Sequence, residues 1–195
     1  MKKKNSLMIL YVLLILLLLT ACNSGPSPKD VVNEYLNALK EGNFQKASQY
    51  VEEVGKDFIS DKINKNQDDE KFGKLILSKI SYEIGNVKIN KNEAWVETKI
   101  TSIDMPTLVA KTMSQLLPLA FASAFGGNED QQQMDNLANQ YIENNINSPD
   151  APKTTTQVNI HLIKTKDGWK IAKDNSDNLA NAVTGNLLKA FPNQK

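Results

Sequence analysis

The chain of 195 residues contains no arginine, one histidine and one cysteine. All of its 23 basic residues are therefore lysines. Because the guanidinium fork is the commonest bidentate partner of phosphate and guanine, this lack, with a net charge near zero, argues against a nucleic-acid partner. A single cysteine allows no disulfide within the chain, and the residues offer no His/Cys cluster for a metal. We accordingly predict no metal and no cofactor.

The first 21 residues have the pattern of a secretion signal. Lys2, Lys3 and Lys4 form a positive start, and an unbroken apolar run of thirteen residues follows from Leu7 to Leu19. At about 1.5 Å per residue that run reaches roughly 20 Å, short of the roughly 30 Å hydrocarbon core of a bilayer. The pattern therefore predicts a signal peptide over residues 1–21. The remaining 174 residues suffice for one domain, and 20 lysines against 22 acidic residues give it a formal charge of −2.

The end of the apolar run resembles a bacterial lipobox, with Leu19, Thr20, Ala21 and Cys22 in order. The resemblance implies cleavage before Cys22 and a diacylglycerol, such as a palmitate-bearing one, on its sulfur. Two acyl chains hold a protein firmly on a membrane. We therefore predict a lipid anchor on the extracytoplasmic face of the cell membrane, with residues 22–27 as a short tether. The alternative is an ordinary secretory signal that happens to contain a cysteine.

Residues 28–192 are predicted to form a single α+β domain. Ser27-Pro28-Lys29-Asp30 has the pattern of a helix start with a capping box. The helix buries one face and ends at Gly42, and a second helix begins at Phe44. The residues of the buried face are Val31, Val32, Tyr35, Leu36 and Leu39. Further short helices are predicted around Phe58–Ile63 and Phe72–Lys79.

The period changes to two from Ile80, which indicates an antiparallel sheet of about four curved strands. The phase slips at Gly85-Asn86, which predicts a β-bulge. Further strands are predicted over Ala94–Ile103 and Thr154–Thr165, and a tight turn at Lys166–Gly168 leads into Trp169–Lys173.

A helical hairpin over residues 107–147 is inserted between the two strand pairs. Thr107–Phe125 is apolar on nearly all sides, and Glu129–Asn147 is amphipathic. We expect the first helix to lie inside the fold, shielded by the second. The alternative leaves part of one face for a lipid, a partner protein or a small apolar ligand. A last helix is predicted from Ser176 to Phe191.

Two stretches, residues 31–44 and Asp167-Gly168-Trp169-Lys170-Ile171, resemble the nuclear transport factor 2-like family. That resemblance implies a curved sheet wrapped around helices as a cone, and the inserted hairpin departs from it. With the lipobox, the chain resembles uncharacterised bacterial lipoproteins with a cone-like domain. The resemblance supplies no reaction.

Candidate site residues each have a structural alternative. His161 alternates away from Val158, Ile160 and Leu162, so it faces solvent or the opposite surface of the sheet if those three are buried. Asp104 could serve as a general base in a cone mouth, or as the cap of the helix starting near Met105. Tyr82 and Trp169 could line a ligand pocket, or pack as ordinary core aromatics.

These features favour a membrane-anchored, non-catalytic binding or interaction module over an enzyme. An envelope protein or a small apolar ligand is the expected partner. The alternatives are a small-molecule enzyme that uses Asp104 or Tyr82, and a purely structural envelope protein. If Leu116, Leu119 and Phe121 fill the cone, the protein is expected to bind a partner protein or to have a purely structural role.

Overall fold

The computed structural model describes residues 25–52, 67–126 and 131–187. Within them lie six α-helices and a four-stranded antiparallel sheet that does not close into a barrel. The helices are α1 (Pro28–Lys40), α2 (Phe44–Ser48), α3 (Gln67–Ser78), α4 (Met105–Gly126), α5 (Gln131–Asn147) and α6 (Ser176–Val183). The strands are β1 (Ser81–Asn90), β2 (Glu93–Ile103), β3 (Lys153–Thr165) and β4 (Gly168–Ile171), and a 3₁₀ turn (Lys173–Asn175) precedes α6. The predicted α+β class is confirmed.

Several predicted features lie outside the described residues. They are the signal peptide, the lipobox with Cys22, the start of the tether, the short helix at Phe58–Ile63, the break after Gly126, and the chain beyond Leu187.

Helix α1 begins as its sequence predicts. Ser27 Oγ accepts a hydrogen bond from the Asp30 N–H, and the Asp30 carboxylate accepts from the Ser27 N–H at 3.0 Å. These bonds satisfy N–H groups that the first turn of a helix leaves unpaired. Gly42 follows the helix with φ +66°, a backbone conformation that glycine adopts without steric cost.

The sheet has the order β1-β2-β3-β4, with every neighbouring pair antiparallel. The β1–β2 register shifts between Ile84 and Val87, which confirms the predicted bulge at Gly85-Asn86. Strand β4 is short and pairs with β3 only from Leu162 to Thr165. Within residues 25–52, 67–126 and 131–187, the first half of β3 therefore lacks a strand neighbour on its outer side.

The main core lies between α1, α6 and one face of the sheet. Alternate residues of β2 and β3 point into it, among them Val96, Ile100, Ile160 and Leu162. A second cluster joins α3, the end of β2 and the hairpin helices. Its buried members are Ile76, Ile103, Met105, Leu108 and Ile146. The two helices of the hairpin are also linked by Asn145, whose Nδ2 donates to Thr112 Oγ1 and Gln115 Oε1.

Helix α4 does not lie inside the fold, contrary to our expectation. Its first turns are buried through Met105, Leu108 and Thr112, but Met113, Leu117 and Phe121 are 60%, 52% and 61% exposed. Leu116 is buried, whereas Leu119 is 36% exposed. The first helix of the hairpin therefore leaves an apolar face at the surface, and Leu119 and Phe121 do not plug a cone.

Among the residues that the structure describes, no helix is both long enough and apolar enough to cross a membrane.

Candidate functional site

A groove of about 640 Å³ opens beside the first half of β3. One wall is the outer edge of β3, and the other is formed by the 3₁₀ turn, α6 and the loop after it. Its lining is mostly polar and rich in amides: Trp95, Thr156, Gln157, Val158, Asn159, His161, Asp174, Asn175, Asn178, Asn181 and Asn186. The volume falls in the range of ordinary ligand sites, but most such sites are more apolar.

His161 lies at the end of the groove near the 3₁₀ turn. Its imidazole stacks on Trp95, with ring centroids 5.1 Å apart and planes 8° from parallel. Nδ1 lies 2.9 Å from Asp174 Oδ2, and Nε2 lies 3.7 Å from Glu93 Oε1. Nε2 is buried and makes no hydrogen bond to any residue that the structure describes. The ring is therefore held by Trp95 and Asp174, and its remaining nitrogen faces the exposed carboxylate of Glu93.

Asn175 continues the β ladder with its side chain. Its Oδ1 accepts from the His161 N–H at 2.8 Å, and its Nδ2 donates to the His161 carbonyl at 2.8 Å. A carboxamide has the same donor and acceptor as a peptide group, so this buried side chain replaces one residue of a neighbouring strand. The ladder beyond β4 thus extends by one position and then stops.

The opposite wall of the groove presents Asn178 and Asn181 of α6, followed by Asn186. The Oδ1 of Asn181 is buried and accepts no hydrogen bond in the part of the chain that the structure describes. Because this atom is buried, as His161 Nε2 is, a ligand in the groove cannot reach it without a movement of the Asn181 side chain. Asn186 itself has φ +61°, which asparagine tolerates better than most residues.

The structure does not bring the predicted site residues together. Tyr82 lies on the edge strand β1, and its hydroxyl contacts Asn37 Oδ1 at 2.7 Å and Asn33 Oδ1 at 2.9 Å, which ties the sheet to α1. Asp104 caps α4, because its Oδ1 accepts from the Thr107 N–H at 3.2 Å. Trp169 packs against the main core at the other edge of the sheet, beneath Lys164 Nζ.

Burial raises the pKa of the Tyr82 phenol above its ordinary value, with a smaller effect from the charge of Glu34. The hydroxyl therefore stays protonated at neutral pH, and its single proton is shared between the two amide oxygens of α1. In these positions Tyr82 and Asp104 have structural partners, and neither lines the groove.

The sequence pattern does not predict the groove, and the reason is physical. Its amide side chains come from β3, the 3₁₀ turn, α6 and the following loop, so no local spacing unites them. The alternation of β3 predicts His161 on the face of the strand away from the core. It lies on that face, because Val158, Ile160 and Leu162 are the buried core residues. Its partner Asp174 is 13 positions away, across the β3–β4 turn. Within the described ranges, no three His, Cys, Asp or Glu side chains are arranged to hold a metal ion.

The exposed face of α4 is a second surface of interest. Met113, Leu117 and Phe121 are spaced four residues apart, which places them in one row along the helix. We call this row the apolar stripe. Exposed rows of large apolar side chains on folded proteins often mark contact surfaces.

Comparison with known proteins gives a family without an assigned activity. None of the curated proteins matches the chain. A crystal structure of "a putative lipoprotein (ycdA) from Bacillus subtilis subsp. subtilis str. 168" aligns with a TM-score of 0.43 and 16% identity over 82% of the chain. The chain spans about half (48%) of that protein's length. A family model matches residues 24–191, so the chain belongs to the family described as "Domain of unknown function (DUF5105)".

Proposed function

We propose that the protein is a membrane-anchored lipoprotein whose extracytoplasmic domain binds a partner without catalysing a reaction. The anchor rests on the sequence of residues 1–22, with Cys22 as the lipidated residue and its lipobox neighbours as the processing signal. The nuclear transport factor 2-like likeness is part of the same proposal, supported by the helix pair followed by a bulged strand pair and a final short hairpin.

The single observation that carries the binding function is the polar groove beside β3. It is lined by carboxamides that can both donate and accept hydrogen bonds. Such a lining suits a ligand with alternating donors and acceptors.

The geometry of His161 favours binding over catalysis at this groove. A general base must reach the proton that it removes, within about 3 Å or through one water. Nδ1 already contacts Asp174, and Nε2 is buried against Glu93. Neither ring nitrogen is therefore free to reach a molecule in the groove, and the dyad is better suited to fixing the groove's end.

The enzyme alternative with Asp104 or Tyr82 finds less support, because both side chains already hold helices in place. The apolar stripe favours a second candidate function, in which the hairpin contributes an apolar contact to an envelope protein.

Cys22→Ala tests the anchor. We expect the wild type to incorporate radioactive palmitate and to stay in the membrane fraction, and Cys22→Ala to do neither. Ser24→Ala, two residues along the tether, should behave as the wild type. Palmitate labelling that survives in Cys22→Ala would refute the anchor.

Asn178→Tyr tests the binding function, because Asn178 is exposed on α6 and a larger side chain there fills the groove. Asn139→Tyr is the matched control, since Asn139 is an exposed asparagine of α5 outside the groove. Proteins that co-purify from detergent-solubilised membranes with both wild type and Asn139→Tyr should be absent with Asn178→Tyr. Identical sets for all three proteins would contradict a binding role for the groove.

A further inference from the structure

We propose that the groove binds an extended peptide segment of a partner protein, which adds to the sheet as a fifth strand beside the first half of β3. This inference rests on the proposed function and names the partner's chemistry. Strand addition of this kind uses main-chain hydrogen bonds for affinity and side-chain pockets for specificity.

The direction of the backbone groups of β3 can be established from its neighbours. The N–H and C=O of His161 both point outward, to Asn175 and Ala172, whereas the Lys164 N–H points inward to Asn92 of the β1–β2 turn. In an antiparallel ladder successive residues alternate in this respect. Residues at even spacing from His161 therefore also point outward: Thr155, Gln157 and Asn159.

These outward groups form an open edge of three rungs. Across the described residues, the outward N–H and C=O groups of Thr155, Gln157 and Asn159 have no hydrogen-bond partner in the protein. The ladder is completed by β4 from Leu162 to Thr165 and by the Asn175 carboxamide at His161. An incoming peptide would extend the hydrogen-bond ladder that β4 and Asn175 already form on the outer edge of β3.

The groove sets the length and chemistry of the peptide. Five residues of β3 span the three rungs, which is about 17 Å at roughly 3.4 Å per residue. Side chains of an added strand alternate between the α6 side, with Asn178 and Asn181, and the side of Gln157 and Asn159. Both sides present carboxamides, so the favoured segment carries small polar side chains such as serine, threonine or asparagine.

A short segment fits this edge better than a second copy of the chain. Strand β4 and the 3₁₀ turn occupy the plane of the sheet beside residues 161–165. If two copies of the chain paired through their β3 edges, the β4 strand of each copy would lie in the plane of the joined sheet, just beyond the third rung. The partner's chain would collide with it there. A free peptide has no such element to accommodate.

Gln157→Pro tests the proposal, because proline removes the outward N–H of the middle rung and leaves the ladder with β2 unchanged. Ile89→Pro is the matched control. Its N–H also points outward, on the opposite edge of the sheet, because Lys88 pairs with Trp95, whose backbone groups face β1. If Gln157→Pro does not fold, as judged by circular dichroism, Thr155→Pro replaces it on the same reasoning.

The probe is a phage-displayed library of nine-residue peptides, selected on the full-length protein in detergent micelles. We expect selected peptides to bind wild type and Ile89→Pro within about twofold, and Gln157→Pro at least tenfold more weakly. Failure to select any peptide, or equal binding to Gln157→Pro, would overturn strand addition. A wild-type dimer that Gln157→Pro abolishes would assign the edge to a second copy and also overturn it.

The two proposals fail in different ways. If Asn178→Tyr loses its co-purifying partner while Gln157→Pro keeps it, the groove binds but does not add a strand. If both variants keep the partner, the binding function of the groove fails as well.

Discussion

At the scale of single residues, Gly185 has the tightest requirement in the fold. It has φ +61°, and a Cβ built on it would lie 1.6 Å from the carbonyl oxygen of Ile103. The clash is with backbone, which cannot move aside as a flexible side chain can. The loop after α6 therefore approaches β2 more closely than any residue with a side chain allows.

We predict that Gly185→Ala lowers the free energy of unfolding by about 3 kcal/mol or more, because it combines a positive φ with a main-chain collision. Gly168→Ala is the comparison: Gly168 has φ +101°, but nothing lies within 4 Å of a Cβ there. That variant should lose about 1–2 kcal/mol, from the backbone conformation alone. Urea denaturation of both variants measures the difference, and equal losses would contradict the collision.

Residue chemistry also marks what the sequence could not reveal. The capping roles of Ser27 and Asp104 were readable, because both act on N–H groups three residues away. The stack of His161 on Trp95 and the pairing of Asn175 with His161 were not readable. The stack depends on the register of β2 with β3, and the pairing depends on the course of the chain after β4. Local periodicity encodes neither.

At the scale of elements, α4 shows where pattern reasoning failed. An all-apolar helix is expected to be covered on every side. Here the sheet face is already occupied by α1 and α6, so the hairpin packs beside the sheet on α3 and on the end of β2. Its apolar stripe consequently stays exposed. The sequence does predict the helix itself, the residue at which it begins and the amphipathic helix α5 beside it.

We predict that Met113→Gln, Leu117→Gln and Phe121→Gln together change the free energy of unfolding by no more than about 1.5 kcal/mol, since surface changes are usually within about 0.5 kcal/mol each. The same variant should bind less of the dye 8-anilinonaphthalene-1-sulfonate, because the stripe supplies exposed apolar surface. Urea denaturation and dye fluorescence provide the two measurements.

Leu116→Gln is the control for the stripe variant, because Leu116 is the buried neighbour on the same helix. Leu116→Gln should lower the free energy of unfolding by at least about 2 kcal/mol, since a buried apolar side chain is replaced by an unpaired amide. A stripe variant that is as unstable as Leu116→Gln would show that the stripe is covered.

At the scale of the whole molecule, the main core depends on an ionisable residue. Tyr35 of α1 lies in the centre of that core, almost wholly buried. Burial raises the pKa of its phenol well above the ordinary value of 10.0, because the phenolate would lose its solvation. A group with a raised pKa in the folded state contributes stability below its unfolded pKa, and that contribution falls as the pH rises above about 10.

We predict that Tyr35→Phe changes the alkaline limb of the stability profile. At about pH 11 the unfolded wild type gains roughly 1 kcal/mol by ionising Tyr35, which phenylalanine cannot do. The difference in unfolding free energy between variant and wild type should therefore shift by about 1 kcal/mol in favour of the variant between pH 7 and pH 11. Urea denaturation at both pH values measures this shift, and a constant difference would contradict it.

The contact of Gly185 with β2 also bears on how the chain is completed during synthesis. Gly185 accepts a hydrogen bond from the Met105 N–H, and Ser102 Oγ donates to the Ala182 carbonyl, 80 positions later in the chain. Chains emerge from the ribosome N-terminus first. The junction between β2 and the apolar helix α4 must therefore wait, without its covering residues, until the chain has been made as far as Gly185. During that interval apolar side chains that the fold buries, such as Met105 and Leu108, are less covered than in the finished domain, and a chaperone that shields residues 103–108 would have its largest effect then.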